Sequence, residues 1–543
     1  MPANRLVLVL NIKLAFAQTN PVVGDFSGNA SEICDLMTQA AQQGVELLVF
    51  GELALSGYPL GDFSYRSDLV EQSDAALSSI LEHSSSLSNL TTVLGHVSLA
   101  TAQVPKIQVS KAIAHNSASV ITSGKLIARY DKMRLPNYDV FDDWRNFVPG
   151  DQEVVFEISG HKIAIAICED IWGDPDRGER LRSLGVELVV VPNGSPFTRG
   201  KGLQRLDAAR QFAKGMYLAY VNLSGGQDEL VFDGSSFLID PSGIVLSQAG
   251  METGLFLCQE NKVIESTADE ALWNVLVVGL RDYLRKTGLK KVVLGLSGGI
   301  DSALCATLAV EALGPENVLG VALPSRYSSD HSLEDAEQLA ENLGIEYRIV
   351  PIDKAHLALE SMVDLTGLAG ENVQARLRAV LLMAISNSEG HLLLTTGNKS
   401  EIAVGYSTIY GDSAGGFAPI KDLFKTDVWR MANYCNKRAS KNLIPESSIT
   451  KAPSAELRPG QLDQDSLPDY EILDRILALL IEEGRTVAEV SAAGFELDLV
   501  KQVDQLVQRA EWKRSQGAIG TKVSPVAFGR GRRVPLTTRF ETR

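Results

Sequence analysis

The sequence contains little cysteine, and its few cysteines are widely spaced. Five cysteines occur in 543 residues, and no two of them form a CxxC pair. A small secreted domain held together by disulfides requires a dense framework of cysteines, so this class of protein is excluded. The pattern is the one expected in a reducing compartment, and we predict a cytoplasmic protein.

Positive charge and long apolar runs are also scarce. The chain has 51 Lys and Arg residues against 67 Asp and Glu residues, which gives a formal net charge of −16. The negative electrostatic potential of such a chain repels nucleic acid, so a general DNA or RNA binder is disfavoured. The apolar run Leu6–Leu10 is too short for the core of a signal peptide or for a membrane span. We therefore expect small-molecule substrates, with neither nucleic acid nor a membrane as a partner.

Length and hydrophobic pattern together indicate two α/β domains. A chain of 543 residues is too long for one ordinary core. Both halves alternate short apolar runs that predict strands, such as Thr92–Leu94, with helical stretches, such as Ala268–Thr287. A polar segment at residues 261–269 separates the two patterns. We predict an N-terminal extension over residues 1–11, a first domain over 12–262 and a second domain over 263–543.

Residues Ser297–Ser302 predict an anion site in the second half. Their sequence, Ser-Gly-Gly-Ile-Asp-Ser, follows the apolar run Val292–Leu296 and precedes the helical stretch Ala303–Leu313. Backbone N–H groups converge at such a strand-to-helix turn, and the helix dipole adds about half a positive charge. The Gly-Lys-Ser/Thr ending of the common nucleotide loop is missing, and Asp301 suggests a Mg²⁺ ion that bridges the phosphates. The alternative is an ordinary turn rich in small residues.

Three residues in the first half follow apolar strands and could form a catalytic set. Cys168 follows the run Lys162–Ile167, Glu52 follows Leu47–Phe50, and Lys132 follows a third apolar strand. α/β folds place their sites at the carboxyl ends of strands. A thiol on a sharp turn there is positioned to attack a carbonyl, and a nearby ammonium favours the thiolate. Taken singly, the cysteine could instead be a core residue and the two charged residues could lie on the surface.

Further segments of the second half fit a nucleotide site. Thr395–Glu401 follows a buried strand, and Glu401 together with Asp301 offers oxygen ligands for Mg²⁺. The helix start Glu371–Arg378 carries arginines that either serve phosphate groups or lie on a solvated face. The Pro- and Ser-rich stretch Ser447–Asp469 predicts a long loop of the kind that covers active sites.

The three strand-end residues resemble the catalytic triad of the nitrilase superfamily. That resemblance implies that Glu52 is the general base, that Lys132 stabilises the oxyanion, and that Cys168 forms a thioester. The sequence segments around these residues are similar to those of the glutaminase branch of that superfamily. This resemblance places four residues in a glutamine pocket: Tyr138, Glu169, Ser195 and Lys201. It also implies that the first domain is a nitrilase-like α-β-β-α sandwich.

The anion loop resembles that of the ATPases that release pyrophosphate. Over residues 12–540 the whole chain resembles the glutamine-dependent NAD⁺ synthetases, with both halves in the family's order. The resemblance implies a Rossmann-like, doubly wound parallel sheet for the second domain. It also implies the reaction: ATP adenylates the carboxylate of nicotinic acid adenine dinucleotide (deamido-NAD⁺). Ammonia from glutamine then displaces AMP and forms the amide of NAD⁺.

The same resemblance assigns residues of the second domain to ligands. The residues implied to bind ATP are Gly295, Leu296, Ser297, Gly298, Gly299, Ile300, Asp301, Ser302 and Thr396. Those implied to bind the dinucleotide are Asn372, Glu401 and Lys513, and weaker candidates for this site are Asp412, Lys425 and Ser454. Asp301 and Glu401 are implied to hold Mg²⁺. An internal ammonia tunnel and a homo-oligomer are implied as well.

Two departures from the family pattern and three alternatives stay open at this point. The chain has Leu223-Ser224 at the start of a segment that begins with a polar residue in the family. It has Gln464 where the family has an acidic residue. We expect these to change local chemistry without removing activity. The alternatives are a related enzyme that acts on tRNA, a binding or regulatory protein without turnover, and two uncoupled activities on one chain.

Overall fold

The computed structural model describes residues 8–100, 113–258, 262–263, 266–454, 456–458 and 460–537. These residues form two compact units. The first holds the described residues up to Gln227 together with Val231–Ser266, and the second holds Asp228–Leu230 and the described residues from Thr267 onward. None of the helices in these ranges is long and apolar enough to cross a membrane.

The first unit alternates strands and helices along most of its length. Its strands are β1 (Leu8–Val9), β2 (Ile12–Gln18), β3 (Leu47–Phe50), β4 (Thr91–Leu99), β5 (Ala114–Thr122), β6 (Lys125–Asp131), β7 (Val155–Ile158), β8 (His161–Ile165), β9 (Leu188–Asn193), β10 (Tyr217–Asn222), β11 (Ser224–Gln227), β12 (Leu230–Asp233), β13 (Phe237–Ile239), β14 (Val245–Gln248), β15 (Gly254–Leu257) and β16 (Lys262–Val263). Its helices are α1 (Phe26–Gln42), α2 (Ser67–Ser84), α3 (Asp143–Asn146), α4 (Pro175–Ser183) and α5 (Lys201–Ala213).

This unit contains two seven-stranded sheets that pack face to face, and β11 pairs with β12 in a separate two-stranded sheet. One has the order β1-β2-β3-β4-β5-β6 with β15 added beside β2, and the other has the order β16-β14-β13-β10-β9-β8-β7. A single core cluster contains inward-facing residues of both sheets, among them Phe16, Val49, Ile165 and Val190. α1 and α2 cover the outer face of the first sheet, and α4 and α5 cover that of the second. The predicted α-β-β-α sandwich is therefore confirmed.

The second unit is built on a short parallel sheet. Its strands are β17 (Lys291–Gly295), β18 (Val318–Ala322), β19 (Glu346–Ile349) and β20 (His391–Leu393). Its helices are α6 (Ala268–Thr287), α7 (Ile300–Leu313), α8 (Asp330–Leu343), α9 (Asp353–Glu360), α10 (Leu368–Glu389), α11 (Lys399–Val404), α12 (Lys425–Ala439), α13 (Glu446–Thr450), α14 (Tyr470–Leu477), α15 (Val487–Ala492), α16 (Leu497–Arg509) and α17 (Glu511–Arg514). A π-helical turn, Ala478–Glu482, continues α14.

The strand order β19-β18-β17-β20, with every pair parallel, confirms the predicted doubly wound sheet. α7 packs against β17 and β18, and α10 packs against β17 and β20. The chain order reverses between β17 and β20, so the crevice at their carboxyl ends is the position where such sheets bind ligands. A separate core of apolar side chains joins α11, α14, α15 and α16.

The strands predicted from the sequence are present, several with shifted ends, and α6 has the bounds predicted for its helix. The strand predicted at Thr92–Leu94 runs from Thr91 to Leu99, because it pairs along its whole length with β5. The helix predicted from Ala303 begins at Ile300, because Gly299 forms its N-cap. The stretch predicted as one long loop from Ser447 overlaps the short helix α13 at its start.

The predicted N-terminal extension lies mostly outside the described residues. Its described part is not separate from the fold. Leu8–Val9 pairs antiparallel with β2, and Val9 is fully buried.

Candidate active sites

The glutamate and the lysine of the predicted triad meet inside the first unit. Glu52 follows β3 and Lys132 follows β6, and each side chain is 1% exposed. Lys132 Nζ donates to Glu52 Oε1 at 2.7 Å and to Asp143 Oδ2 at 2.7 Å. A buried ammonium requires paired, hydrogen-bonded charges, and these two carboxylates provide them. The geometry therefore rules out the alternative that Glu52 and Lys132 are surface charges.

Neighbouring groups hold both carboxylates in place. Glu52 Oε1 accepts from Asn116 Nδ2 at 2.8 Å, and its Oε2 accepts from the backbone N–H of Gly194 at 2.8 Å. Asp143 Oδ1 accepts from the Tyr58 hydroxyl at 2.8 Å. With every oxygen engaged, the Glu52 carboxylate has little freedom to rotate away from the lysine.

Cys168 opens a 3-10 turn, Cys168–Ile171, three residues after β8 ends. Its φ is +43°, a left-handed conformation that costs a non-glycine residue roughly 1–3 kcal/mol. Strain of this kind is typical of residues that are held for chemistry. The thiol is 6% exposed and lies in the electrostatic field of both Glu52 and Lys132.

The lysine favours the thiolate of Cys168, as predicted, but burial and the nearby Glu52 act in the opposite direction. Burial and the charge of Glu52 raise the pKa of the thiol well above its ordinary value, and Lys132 opposes this shift without cancelling it. The neutral thiol is therefore favoured in the free site. A neutral thiol needs a base when it attacks a carbonyl, and the Glu52 carboxylate is a candidate for that base.

The structure brings together three of the four predicted glutamine-pocket residues. The hydroxyl of Tyr138, which is half exposed, donates to Glu169 Oε2 at 2.8 Å. Burial raises the pKa of Glu169, and the nearby Lys201 opposes that shift. The Lys201 ammonium also lies 4.8 Å from the centre of the Trp172 ring. These residues surround the turn that carries the nucleophile.

The fourth residue, Ser195, has a different environment. It is buried, and its hydroxyl accepts from Arg205 Nε at 3.1 Å. Arg205 also donates to the carbonyl oxygens of Ser195 and Pro196 and pairs with Asp233 at 2.7 Å. The buried arginine thus fixes the segment that contains Ser195.

Sequence reasoning missed Asp143, Asn116 and Arg205. Asp143 directly follows another acid, Asp142, and nothing in the linear pattern distinguishes the two. Asn116 lies within β5, far along the chain from any motif. Only the pairing of β4, β5 and β6 brings it to Glu52.

Leu223, one of the two departures from the family pattern, packs against Gly51, the residue before Glu52. A Cβ atom on Gly51 would lie 2.7 Å from Leu223 Cδ2, so the leucine covers the backbone that precedes Glu52. The adjacent Ser224 donates its hydroxyl to the Met251 carbonyl. Gln464, the other departure, donates to Asp469 at 3.3 Å on the surface.

The second unit contains a cavity of about 750 Å³ at the carboxyl ends of β17 and β20. Residues from both of these strand ends and from α10, α11 and the loop after α13 line it. The predicted ligand-binding residues that line the cavity are Gly295, Leu296, Ser297, Gly299, Ile300, Asp301, Ser302, Thr396, Asn372, Glu401, Lys513, Asp412, Lys425 and Ser454. Of the positions predicted for this site, Gly298 does not line the cavity.

The loop before α7 has the form predicted for an anion site. Ser297 N–H donates to Ser302 Oγ at 3.3 Å, and the two serine hydroxyls lie 3.2 Å apart. Gly299 N–H donates to Ser297 Oγ at 3.3 Å, and α7 begins at the next residue. The first-turn N–H groups of this 14-residue helix are therefore directed toward the cavity.

Gly298 allows the backbone of this loop to pack closely against Ser332, and its replacement by alanine tests that role. Its φ is +74°, and a Cβ would overlap the Ser332 carbonyl oxygen and lie 2.7 Å from Ser332 Cα. We expect Gly298→Ala to cost at least ~1–2 kcal/mol and to lower the melting temperature of the second unit by several degrees.

The matched control for this variant is Gly299→Ala. Gly299 has φ −87°, and its Cβ would meet only the rotatable Ser297 hydroxyl, at 3.2 Å. Thermal unfolding of both variants distinguishes the two positions. Equal melting temperatures would show that the loop does not depend on the backbone conformation of Gly298.

Asp301 and Glu401, the predicted Mg²⁺ ligands, lie in one partly buried charge cluster, with each side chain 18% exposed. Asp301 Oδ1 accepts from Asn398 Nδ2 at 2.8 Å, and its Oδ2 accepts from Lys425 Nζ. Lys425 Nζ lies 3.6 Å from Glu401 Oε1. Within the described ranges, no group of three or more metal-binding side chains is present, so an ion here would rely on these two carboxylates and on its ligand.

This cluster predicts a pH dependence. Burial, followed by the charge of Asp301, raises the pKa of Glu401 from 4.5 to about 8, with Lys425 opposing the shift. Between pH 4.5 and 8 the folded state therefore keeps a proton that the unfolded chain releases. The stability that this proton provides is complete below pH 4.5 and is lost as the pH rises through 8.

We expect Glu401→Gln, which mimics the protonated carboxyl, to lose less stability than the parent protein as the pH rises. The measurement is the unfolding midpoint of both proteins from about pH 5 to about pH 9, without nucleotide or metal. As the pH rises, the unfolding midpoint of the parent protein should fall more than that of the variant. Parallel curves would contradict the raised pKa.

Other predicted residues make contacts that shape the cavity wall. Lys513 Nζ donates to the carbonyl oxygens of Gly405 and Ser407 at 2.8 and 2.7 Å. Asn372 Oδ1 accepts from the Thr408 hydroxyl at 2.9 Å. Asp412 accepts from Thr408 N–H at 2.6 Å, and burial raises its pKa to about 6.

The stretch after α13 covers one side of the cavity, as the loop prediction proposed. Lys451 Nζ donates to Ser332 Oγ at 2.6 Å and to Glu456 Oε1 at 2.7 Å. Glu456 also accepts from the Ser329 hydroxyl at 3.0 Å. These contacts tie the stretch to the start of α8. Of the arginines on α10, Arg378 lines the cavity and donates to the Leu323 carbonyl at 3.0 Å.

Comparison with known proteins gives a match for each unit. The family model for carbon-nitrogen hydrolases matches residues 13–263, and that for NAD synthases matches residues 272–517.

Known proteins also match this chain over nearly its whole length. The glutamine-dependent NAD(+) synthetase of Thermotoga maritima is 40% identical, over 98% of this chain and 99% of that protein. The protein of the same name from Synechocystis sp. is 41% identical, over 97% of this chain and 99% of the relative. A solved glutamine-dependent NAD+ synthetase from Acinetobacter baumannii, in complex with adenosine diphosphate, is 36% identical. Its TM-score is 0.75, and the match covers 98% of this chain and 99% of that structure.

Proposed function

The chain belongs to the family of glutamine-dependent NAD(+) synthetases, and we propose that its two sites carry the two halves of that reaction. The enzyme amidates deamido-NAD⁺ at the expense of ATP, with glutamine as the nitrogen donor. The products are NAD⁺, AMP, diphosphate and glutamate. The observation that carries the proposal is the buried Glu52–Lys132 pair beside Cys168, together with a cavity that holds the predicted nucleotide residues.

In the first site, Cys168 attacks the side-chain amide carbon of glutamine. Glu52 accepts the thiol proton and returns it to the leaving nitrogen, so that ammonia departs and a glutamyl thioester remains. The Lys132 ammonium stabilises the oxyanion of each tetrahedral intermediate. A water molecule, deprotonated by Glu52, then hydrolyses the thioester and releases glutamate. Tyr138, Glu169, Ser195 and Lys201 are proposed to hold the substrate.

In the second site, the nicotinate carboxylate attacks the α-phosphorus of ATP, and diphosphate leaves. This step is required because a carboxylate is a poor electrophile, whereas its adenylate has AMP as a leaving group. Ammonia then attacks the acyl carbon, AMP leaves, and the amide of NAD⁺ forms. The loop of residues 295–302 and Thr396 are proposed to hold ATP, and Asn372, Glu401 and Lys513 to hold the dinucleotide.

The donor set at Asp301 and Glu401 fits a magnesium ion that enters with ATP. Burial and the charge of Asp301 raise the pKa of Glu401, and the two carboxylates form an oxygen-rich site that a cation would stabilise. Bound there, Mg²⁺ would neutralise phosphate charge. Lys425 already lies between the two acids, and it is placed to contact phosphate oxygens as well.

Three further predictions belong with this function. We propose that residues 12–262 and 263–543 are its two domains, that the protein acts as a homo-oligomer, and that it resides in the cytoplasm. The fold division at Ser266 and Thr267 and the family matches at 13–263 and 272–517 support the first of these.

The test is NAD⁺ formation by the purified protein with ATP, Mg²⁺ and deamido-NAD⁺, supplied with glutamine or with ammonium. AMP and glutamate are measured in both reactions. Equal amounts of NAD⁺, AMP and glutamate in the glutamine reaction would support the proposal. Absence of NAD⁺ from both nitrogen sources would show that the acceptor is a different carboxylate. Glutamate formation that ignores ATP and dinucleotide would indicate two uncoupled activities.

A further inference from the structure

The carboxylate of Asp170 closes the turn that carries the nucleophile. Its side chain is 0% exposed, and its Oδ2 accepts from the backbone N–H of Ile167 at 2.8 Å. In return, the backbone N–H of Asp170 donates to the Ile167 carbonyl at 3.0 Å. Cys168, with its φ of +43°, lies inside this closed turn. The side chain of Asp170 therefore helps to keep the cysteine in its left-handed conformation.

The same carboxylate reaches the segment that carries the catalytic lysine. Asp170 Oδ1 accepts from the backbone N–H groups of Met133 at 3.2 Å and Arg134 at 2.8 Å, the two residues that follow Lys132. Its Oδ2 also accepts from the Tyr130 hydroxyl at 2.8 Å, two residues before the lysine. One buried group thus receives hydrogen bonds from both sides of Lys132.

Arg177 supplies the countercharge for this buried acid. Its Nη1 lies 3.6 Å from Asp170 Oδ2, and its guanidinium carbon lies 5.0 Å from the centre of the Tyr130 ring. Arg177 also donates to the Ile165 carbonyl at the end of β8 and pairs with Glu153 at 2.8 Å. A fully buried carboxylate is tolerated when it is paired and hydrogen-bonded in this way.

We propose that Asp170 is a positioning residue that sets the separation between Cys168 and Lys132. The two residues come from different sheets, Lys132 after β6 and Cys168 after β8, and Asp170 is hydrogen-bonded to the backbone beside each of them. The inference rests on the proposed amide hydrolysis at this site. Asp170 acts through Cys168 and Lys132 and does not itself react.

The physical reason is that thiol attack and oxyanion stabilisation need the sulfur and the ammonium at a fixed distance. A displacement of about 1 Å can lower a rate by about a hundredfold. Four donors converge on one carboxylate here, so its loss leaves several buried donors without acceptors. The two segments would then relax independently.

The test is Asp170→Asn, which keeps the size of the side chain. An amide has a single acceptor oxygen, so its NH₂ group must face at least one of the backbone N–H donors. We expect kcat for glutamine hydrolysis to fall about a hundredfold, while KM for glutamine changes less than about threefold. The reaction of Cys168 with iodoacetamide should slow as well, with an altered pH profile. Synthesis with ammonium, which uses the second site, should stay as in the parent protein.

Glu153→Gln is the matched control, because it removes the other partner of Arg177 and leaves the four hydrogen bonds of Asp170 intact. Its glutamine hydrolysis should stay near that of the parent. If Asp170→Asn does not fold, Tyr130→Phe removes one of the four bonds, and a several-fold loss of kcat at constant KM is expected.

Hydrolysis by Asp170→Asn or, failing that, by Tyr130→Phe at the parental kcat would overturn the inference. So would a loss that appears only in KM. A parent protein that hydrolyses no glutamine would instead refute the proposed function, so the two failures are distinguishable.

Discussion

Replacement of Cys168 by alanine is expected to abolish NAD⁺ synthesis from glutamine and to leave synthesis from ammonium largely intact. The thiol is the proposed nucleophile of the first site, and no other described cysteine shares the electrostatic field of Glu52 and Lys132. Loss of a catalytic nucleophile lowers activity by at least about a thousandfold. Ammonium bypasses this step, because the second site needs only free ammonia and the adenylate.

The measurement compares NAD⁺ formed from the two nitrogen sources by the same preparation. Cys258→Ala is the control, because Cys258 is also buried in the same unit, but burial alone raises the pKa of its thiol, whereas the charges of Glu52 and Lys132 act on Cys168. It should keep both activities. If Cys168→Ala lost ammonium-dependent synthesis while remaining folded, the division of the reaction between two sites would be wrong.

Replacement of Asp301 by alanine is expected to abolish synthesis from either nitrogen source, while some glutamine hydrolysis survives. Asp301 accepts hydrogen bonds from Asn398 and Lys425 and is a proposed Mg²⁺ ligand. Its loss leaves the Lys425 ammonium with Glu401 as the remaining carboxylate within 4 Å, and leaves the Asn398 amide without its acceptor. Loss of a charged group that orients ATP should cost about a hundredfold or more in rate.

Glu311→Ala is the control for this variant, because Glu311 lies on the same helix and pairs with Arg438 outside the cavity. Its activity should match the parent protein. The readouts are AMP and NAD⁺ for the second site and glutamate for the first. Full NAD⁺ synthesis by Asp301→Ala would remove this residue from the proposed metal and phosphate site.

The contrast between the two sites shows which kinds of residue a sequence reveals. The loop Ser297–Ser302 is contiguous, so its strand, turn and helix start are visible in one short stretch. Glu52, Lys132 and Cys168 are far apart in the chain but share a context, since each follows an apolar strand. The alternation of strands and helices was likewise enough to predict two α/β domains, because burial on both faces leaves apolar runs in the sequence. The sandwich of the first domain and the doubly wound sheet of the second followed only from the resemblance to known families.

Residues that act through tertiary contacts carried no such signal. Asn116 is one of many polar residues in a strand, and its role follows from the pairing of β5 with β4 and β6. Lys425 was only a weak candidate, because its position between Asp301 and Glu401 depends on how α12 packs. The balance of charges at Cys168 carried no linear signal either, since burial and the nearby Glu52 outweigh the lysine and raise the pKa of the thiol.

By itself, the sequence determined the two α/β units, their order and the chemical groups available to each site. These properties follow from local patterns, namely apolar strands, a glycine turn and reactive residues at strand ends. Only the tertiary structure decided which carboxylates surround Lys132 and Lys425, and how Asp170 joins the nucleophile to the lysine. Desolvation and charge pairing depend on distances of a few ångströms between remote segments, and a linear pattern does not contain those distances.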